Sequence, residues 1–182
     1  MGLDSVELVI RVEDTFGIQI PDRDAAALTT PRKVTDFILS RVEESQQPLP
    51  CMSQKAFYSL RREFTRQFSV PRRQFVPDAR LKDLLPEERR DELWKTIGSS
   101  LKVKKWPAIS HSRWLGFLTP TVQSVGELVD YLVTNEPLIV KGDEASWSRE
   151  QVWDVLKRVI KDETSINDFS EDSRFIEDLH LD

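Results

Sequence analysis

The chain has 182 residues, of which 39% are apolar and 31% are charged, and its formal net charge is −5. This balance is typical of a soluble, mostly helical protein of one or two domains. The single cysteine, Cys51, excludes an internal disulfide and is compatible with a reducing, cytoplasmic setting. No apolar run reaches the ~18–20 residues that cross a bilayer, so no membrane span is expected.

Charge divides the chain into three parts. Residues 1–51 carry a net charge of −4, residues 52–135 carry +6, and residues 136–182 carry −7. The two ends therefore share a sign that the middle lacks. This pattern favours one domain built from both ends and a second domain between them.

The first segment is predicted to contain three helices. Apolar residues at helical spacing predict a helix over 3–16, which Gly17 ends. Residues 22–28 suit a short helix, and Thr30 is expected to cap a third helix with Pro31 at its first position. The predicted buried stripe of the first helix consists of Leu3, Val6, Val9, Ile10 and Phe16.

The middle segment repeats this order of helices more weakly. Apolar spacing predicts helices over 57–68 and 93–101, and a last one that begins at Thr121. Beyond it, Ser148 is expected to cap a helix, after which a long loop leads to residues 175–179. The predicted apolar face of this C-terminal helix comprises Val152, Leu156, Val159 and Ile160.

The two chain ends become informative when they are joined. The last eight residues, FIEDLHLD, followed by one serine and then by LDSVELVIRVEDTFGIQI, would form one continuous motif. The composite resembles the attachment turn and recognition helix of the acyl carrier protein family. This resemblance implies a circularly permuted carrier domain whose halves lie at opposite ends of the chain.

The resulting fold class is all-α, with two helical domains. Residues 1–46 together with 146–182 are expected to form an acyl-carrier-like four-helix bundle. Residues 52–135 are interpreted as a second, degenerate carrier-like basic domain, because PDARLKDLLP resembles the carrier loop but no serine follows it. Residues 47–51 and 136–145 are the predicted linkers.

The resemblance implies that a serine in the attachment turn bears 4'-phosphopantetheine, whose thiol holds an acyl group. The register places this serine at Gly2, after Asp182 and before Leu3 and Asp4, so the serine is absent here. Ser5 is a fallback attachment residue, although we interpret it as an ordinary polar residue of the first helical turn. The cofactor is thus expected in a serine-bearing parent and not in this chain.

Two further sets of residues follow from the resemblance. Carboxylates of the first helix would dock on basic patches of partner enzymes, and apolar residues would admit an acyl chain. A solvated helix face and plain core packing are the ordinary alternatives. The predicted docking residues are Glu7, Glu13 and Asp14. The predicted acyl-pocket residues are Val6, Ile10, Phe16, Ile18, Ile20, Ala26 and Phe37.

The resemblance implies carriage of acyl or aminoacyl groups in fatty-acid, polyketide or related lipid metabolism, without catalysis by the chain. Its partners would be a phosphopantetheinyl transferase and enzymes that load or use acyl groups. A non-carrying interaction module with the same fold is the alternative. No catalytic set is predicted, and His111 and His180 show no metal-ligand spacing.

The basic middle domain admits several partners. It could hold the acidic carrier domain or a partner enzyme, whereas nucleic-acid binding is the less favoured interpretation. The sequence leaves open whether the permutation is natural or engineered, and whether the ends close within one chain or between two.

Overall fold

The computed structural model describes residues 3–109 and 120–181. Three residues singled out above, Gly2, His111 and Asp182, lie outside the described residues. The chain divides into a first unit, Met1–Met52 with Lys141–Asp182, and a second unit, Ser53–Val140. The predicted all-α class is confirmed for the described residues, apart from one short pair of strands.

The helices of the described residues are numbered in chain order. They are α1 Leu3–Phe16, α2 Asp22–Ala25, α3 Pro31–Arg41, α4 Met52–Phe68, α5 Leu81–Leu84, α6 Arg90–Ser100, α7 Val125–Asn135, α8 Pro137–Lys141 and α9 Arg149–Thr164, with a 3₁₀ turn at Glu87–Arg89. The strands are β1 Ala108–Ile109 and β2 Thr121–Val122, which pair in parallel.

Local signals set the helix ends of the first unit. Thr30 Oγ1 accepts a hydrogen bond from the Lys33 N–H, and Ser148 Oγ accepts one from the Gln151 N–H, so both predicted caps are confirmed. Gly17 adopts a positive φ of 65° and its N–H donates to the Glu13 carbonyl, which ends α1 as predicted.

Helix α9 supplies the centre of the first unit by packing against both α1 and α3. The four apolar residues predicted for its buried face are fully buried, and Val155 joins them. Trp147, just before α9, ties the two segments of the unit together. Its N–H donates to the Glu43 carbonyl, and its own carbonyl accepts from the Ser45 N–H.

The predicted stripe of α1 is wrong at two positions. Val6 and Ile10 are 39% and 51% exposed, whereas Leu8 and Val12 are buried. The reason is that apolar residues occur around most of the circumference of this helix, so two stripes fit the same period. Contact with α9 decides between them.

Helices α4 to α7 and the strand pair build the second unit. Its aromatic centre contains Phe64 and Phe75, whose ring centroids lie 5.0 Å apart. The predicted helix start at Thr121 is wrong, because Thr121 pairs with Ala108 in the strands and Ser124 caps α7. Residues 136–145, predicted as a linker, contain α8.

The described residues also bear on the expectations for membrane spans and metal sites. Within the described residues, none of the helices combines the length and the apolar character that crossing a lipid bilayer requires. The described part of the chain also has no group of three or more His, Cys, Asp or Glu side chains placed to hold a metal ion. Cys51 is exposed.

Replacing Leu156 with Ala is expected to lower the free energy of unfolding by about 2–5 kcal/mol, because it opens a cavity at the centre of α9. Lys161→Ala in the same helix is the matched control and should change it by less than about 0.5 kcal/mol. Urea denaturation followed by circular dichroism measures both. Equal effects in the two variants would contradict the central position of Leu156.

Candidate functional site

The C-terminal tail, residues 175–181, reaches the beginning of α1. The Ser5 hydroxyl donates a hydrogen bond to the Leu181 carbonyl at 3.3 Å, across 176 residues of sequence. The Leu181 N–H in turn donates a hydrogen bond to the Phe175 carbonyl within the tail, at 2.9 Å. Leu179 and Leu181 are buried. The described end of the tail therefore packs beside the first turns of α1.

Ion pairs fasten the loop before this tail to α3. The Arg32 guanidinium donates to both carboxylate oxygens of Asp172, at 2.6 and 2.8 Å. The Arg32 backbone N–H donates to the Glu171 carbonyl at 2.7 Å, and the Phe175 N–H donates to the Thr29 carbonyl at 3.1 Å. The hydrogen bond from Arg32 holds the pKa of Asp172 below its usual value.

A second arginine reinforces the same loop from the start of α9. The Arg149 guanidinium lies 2.7 Å from an Asp36 carboxylate oxygen and 3.2 Å from one of Glu171. The hydrogen bond to Asp36 is the main reason that the pKa of Arg149 is raised. The two arginines thus bind the tail loop to α3 and α9.

An apolar cavity of about 280 Å³ lies between α1, the α2–α3 region and the tail. The polar and charged residues in its wall are Ser5, Thr29, Arg174 and Glu177, and the other lining residues are apolar. The lining residues are Ser5, Leu8, Val9, Val12, Ile20, Ala25, Ala26, Leu28, Thr29, Val34, Arg174, Phe175, Ile176, Glu177 and Leu181.

Only two of the residues predicted for an acyl pocket line this cavity, namely Ile20 and Ala26. Val6 and Ile10 lie on the exposed face of α1. Phe16 is buried, with its ring centroid 5.2 Å from that of Trp147. The lining does not include Phe16, Ile18 or Phe37, which the prediction had included.

The prediction did not include the apolar residues that line the cavity from one face of α1, from the α2–α3 region and from the tail. The missed residues are Leu8, Val9, Val12, Ala25, Leu28, Val34, Phe175, Ile176 and Leu181. A sequence signal existed for part of this set, because Leu8 and Val12 are four residues apart and share a face of the helix. Nothing local in the sequence joins that face to the tail.

The predicted docking carboxylates separate into two kinds. Glu7 and Asp14 are exposed on α1, as is Asp4 near its start. Glu13 is half-buried, and its Oε1 accepts a hydrogen bond from the Ile20 N–H at 2.6 Å. Glu13 therefore fixes the loop after α1. The acidic face of α1 is formed by Asp4, Glu7 and Asp14, with exposed Val6 and Ile10 beside it.

The residues of the expected attachment turn do not fit a covalently bound phosphopantetheine. Gly2 has no hydroxyl that could form the phosphodiester. The Ser5 side chain is half-buried in the wall of the cavity and donates its hydrogen to Leu181. His180, near the end of the tail, is exposed and has a positive φ of 56°.

Comparison with known proteins shows that part of the chain is carrier-like. No protein-family model matches the chain, and no solved structure matches it. An acyl carrier protein of Thermosynechococcus vestitus is 50% identical to it over 41 residues, which is 22% of this chain and 51% of that protein. The chain thus spans about half the length of this curated relative.

Arg32→Gln is expected to weaken the attachment of the tail to α3. It should also make the hydrogen-exchange protection of the tail depend less on pH in the acid range. Because Arg32 lowers the pKa of Asp172 in the folded state, the pair stabilises the fold above the ordinary aspartate pKa of about 3.9. That stabilisation is lost as the pH falls through the lower folded pKa. The protection of the Phe175 amide in hydrogen exchange should therefore fall below about pH 4, and fall less in the variant.

Arg23→Gln is the control for this experiment, because the Arg23 side chain is 84% exposed. The control should show the same pH dependence as the original chain. If Arg32→Gln leaves both the protection of Phe175 and its dependence on pH unchanged, the ion pair does not fasten the tail.

Proposed function

We propose that the first unit is an acyl-carrier-type module, a four-helix bundle that this chain builds from two distant segments. The observation that carries the proposal is the contact between Ser5 and Leu181, which joins the tail to the start of α1. The similarity to an acyl carrier protein covers half of that protein. A permuted order would account for this limit, because a match that runs in one direction along the chain can include only one of the two segments.

The cavity supports binding of an acyl chain by this module. Its walls are mainly aliphatic, and each methylene group that leaves water for such a site contributes about 0.8 kcal/mol. Leu8 and Val12 would exclude water on one side, with Phe175 on the other. Such a module would serve fatty-acid or polyketide metabolism in the cytoplasm.

Partner enzymes would dock on the acidic face of α1. Its carboxylates are exposed and lie beside Val6 and Ile10, so a partner with lysine or arginine around an apolar centre would complement it. Complementary charge mainly increases the rate of encounter and selects the partner. The partners in this proposal are a phosphopantetheinyl transferase and enzymes that load or use acyl groups.

The attachment position in this proposal is residue 2, which is glycine. In the serine-bearing form, the bound 4'-phosphopantetheine would supply the thiol that holds the acyl group as a thioester. The present chain would keep the acidic face and the cavity without covalent carriage. The absence of a serine at Gly2 therefore favours a second candidate, a non-carrying module that binds carrier-pathway enzymes.

The second unit is proposed to be a degenerate relative of the same bundle. Its PDARLKDLLP segment, residues 77–86, contains α5, and Leu85-Pro86-Glu87 stands where a carrier would have its attachment serine. This unit would bear no acyl group itself, but its basic surface could dock the acidic first unit or a partner enzyme.

Incubation with coenzyme A and a phosphopantetheinyl transferase separates the two candidates when it is read by intact mass. We expect no gain in mass for the chain itself or for Ser5→Ala, because neither has a hydroxyl group at position 2. Gly2→Ser, alone or with the two chain ends joined covalently, should gain one phosphopantetheine.

A gain on the original chain that Ser5→Ala removes would move the attachment to Ser5 and contradict the register. No gain in any Gly2→Ser form would contradict the carrier proposal and leave the interaction module.

Glu7→Lys in the Gly2→Ser chain is expected to slow modification by the transferase about three- to tenfold at low salt, because it reverses a charge on the docking face. Asp168→Lys reverses an exposed charge in the loop before the tail and is the matched control. It should leave the rate unchanged. An equal decrease in both variants would indicate a general effect of net charge and contradict docking through α1.

A further inference from the structure

Side chains of α4 and of the turn after it form an open groove of about 550 Å³ in the second unit. Helix positions three and four apart share one face, which places five of the lining residues together. The sixth comes from the turn, where Ser69 has a positive φ of 57°. This arginine groove is lined by Tyr58, Arg61, Arg62, Thr65, Arg66 and Arg72.

One of the four guanidinium groups is already paired with a carboxylate of the same helix. Arg66 Nη2 lies 2.7 Å from Glu63 Oε2, which also accepts hydrogen bonds from Gln67 and Ser100. Burial raises the pKa of Glu63, but these hydrogen bonds outweigh burial and the pKa is lowered overall. The Glu63 carboxylate is therefore ionised at neutral pH, and its oxygen atom is already bonded to Arg66, Gln67 and Ser100.

The other three arginines keep their charge without such a partner. Among the described residues, no carboxylate lies within 4.0 Å of Arg61, Arg62 or Arg72. Three like charges in one groove repel each other, and an anion bound between them would remove that repulsion. The groove therefore favours a ligand with more than one negative charge.

Aromatic rings hold one of these guanidinium groups in place. Arg61 Cζ lies 4.7 Å from the ring centroid of Tyr58 and 5.4 Å from that of Phe57. A guanidinium group stacked on a ring keeps N–H donors at its edge for a second partner. The Tyr58 ring is itself 46% exposed, so it also offers a surface on which a planar group can stack.

We propose that the arginine groove binds a pyrophosphate-bearing ligand of the nucleoside diphosphate class. Guanidinium groups pair with phosphate oxygens through two parallel hydrogen bonds, and Arg61, Arg62 and Arg72 would hold the two phosphates. The base would stack on Tyr58. The volume of the groove, about 550 Å³, lies within the range of small-molecule sites.

The length of the groove along α4 favours this ligand over nucleic acid. Tyr58 and Arg66 are eight residues apart on α4, which corresponds to about 12 Å along the helix. A turn of duplex DNA is about 34 Å long, so the groove could contact only a small part of its backbone. Two adjacent phosphates match the groove better.

Isothermal titration calorimetry of the intact chain with ADP, pyrophosphate and adenosine tests the proposal. We expect saturable binding of ADP, weaker binding of pyrophosphate and none of adenosine. Arg61→Gln with Arg62→Gln should weaken ADP binding about a hundredfold, or about tenfold for each lost charge-assisted contact. Tyr58→Ala should weaken the binding of ADP more than that of pyrophosphate, because it removes the stacking surface for the base as well as one of the rings that hold Arg61.

Arg89→Gln is the matched control, because this exposed arginine of the second unit lies outside the groove and pairs with Glu92. It should bind ADP as the original chain does. If Arg89→Gln weakens ADP binding as much as the groove variants do, the proposal is overturned. The absence of saturable binding of both ADP and pyrophosphate would also overturn it. Tighter binding of duplex DNA, or of an acidic helical peptide, that the groove variants abolish would also overturn it.

Discussion

The packing of α9 against α1 and α3 is the interaction on which the rest of the first unit depends. Helices α1 and α3 both pack on α9, and a segment as short as the one before residue 52 would by itself bury a smaller share of its surface. Helix α9 supplies a fully buried apolar face from the other end of the sequence. Joining segments so far apart adds little further cost, since loop-closure entropy grows only slowly with length.

The position of α9 also creates the candidate site. The loop after it is held by Arg32 and Arg149, and the tail then returns to α1 and closes one side of the cavity. The wall of the cavity therefore consists of residues from both chain ends. This arrangement explains why the contact between Ser5 and Leu181 supports the proposed carrier module more strongly than any single motif.

Charge serves different purposes in the two units. In the first unit, the Glu13 carboxylate accepts a hydrogen bond from the loop after α1, whereas Glu7 and Asp14 are exposed to solvent. In the second unit, Glu63 neutralises one arginine of α4 and leaves its neighbours available. The net charge of a unit does not describe its surface adequately, because the hydrogen-bond partners of each charged group decide which charges are available to a ligand or partner.

The sequence by itself determined the helical class and those helix ends that depend on local chemistry. Thr30, Ser148 and Gly17 act on backbone groups within a few residues, so their roles could be predicted. Only the tertiary structure decided which stripe of α1 is buried, since Val6 and Leu8 are both apolar and helical spacing does not identify which of them packs against the rest of the unit. The tertiary structure likewise assigned Glu13 to the Ile20 amide and Thr121 to a strand, because both depend on partners that spacing alone does not identify.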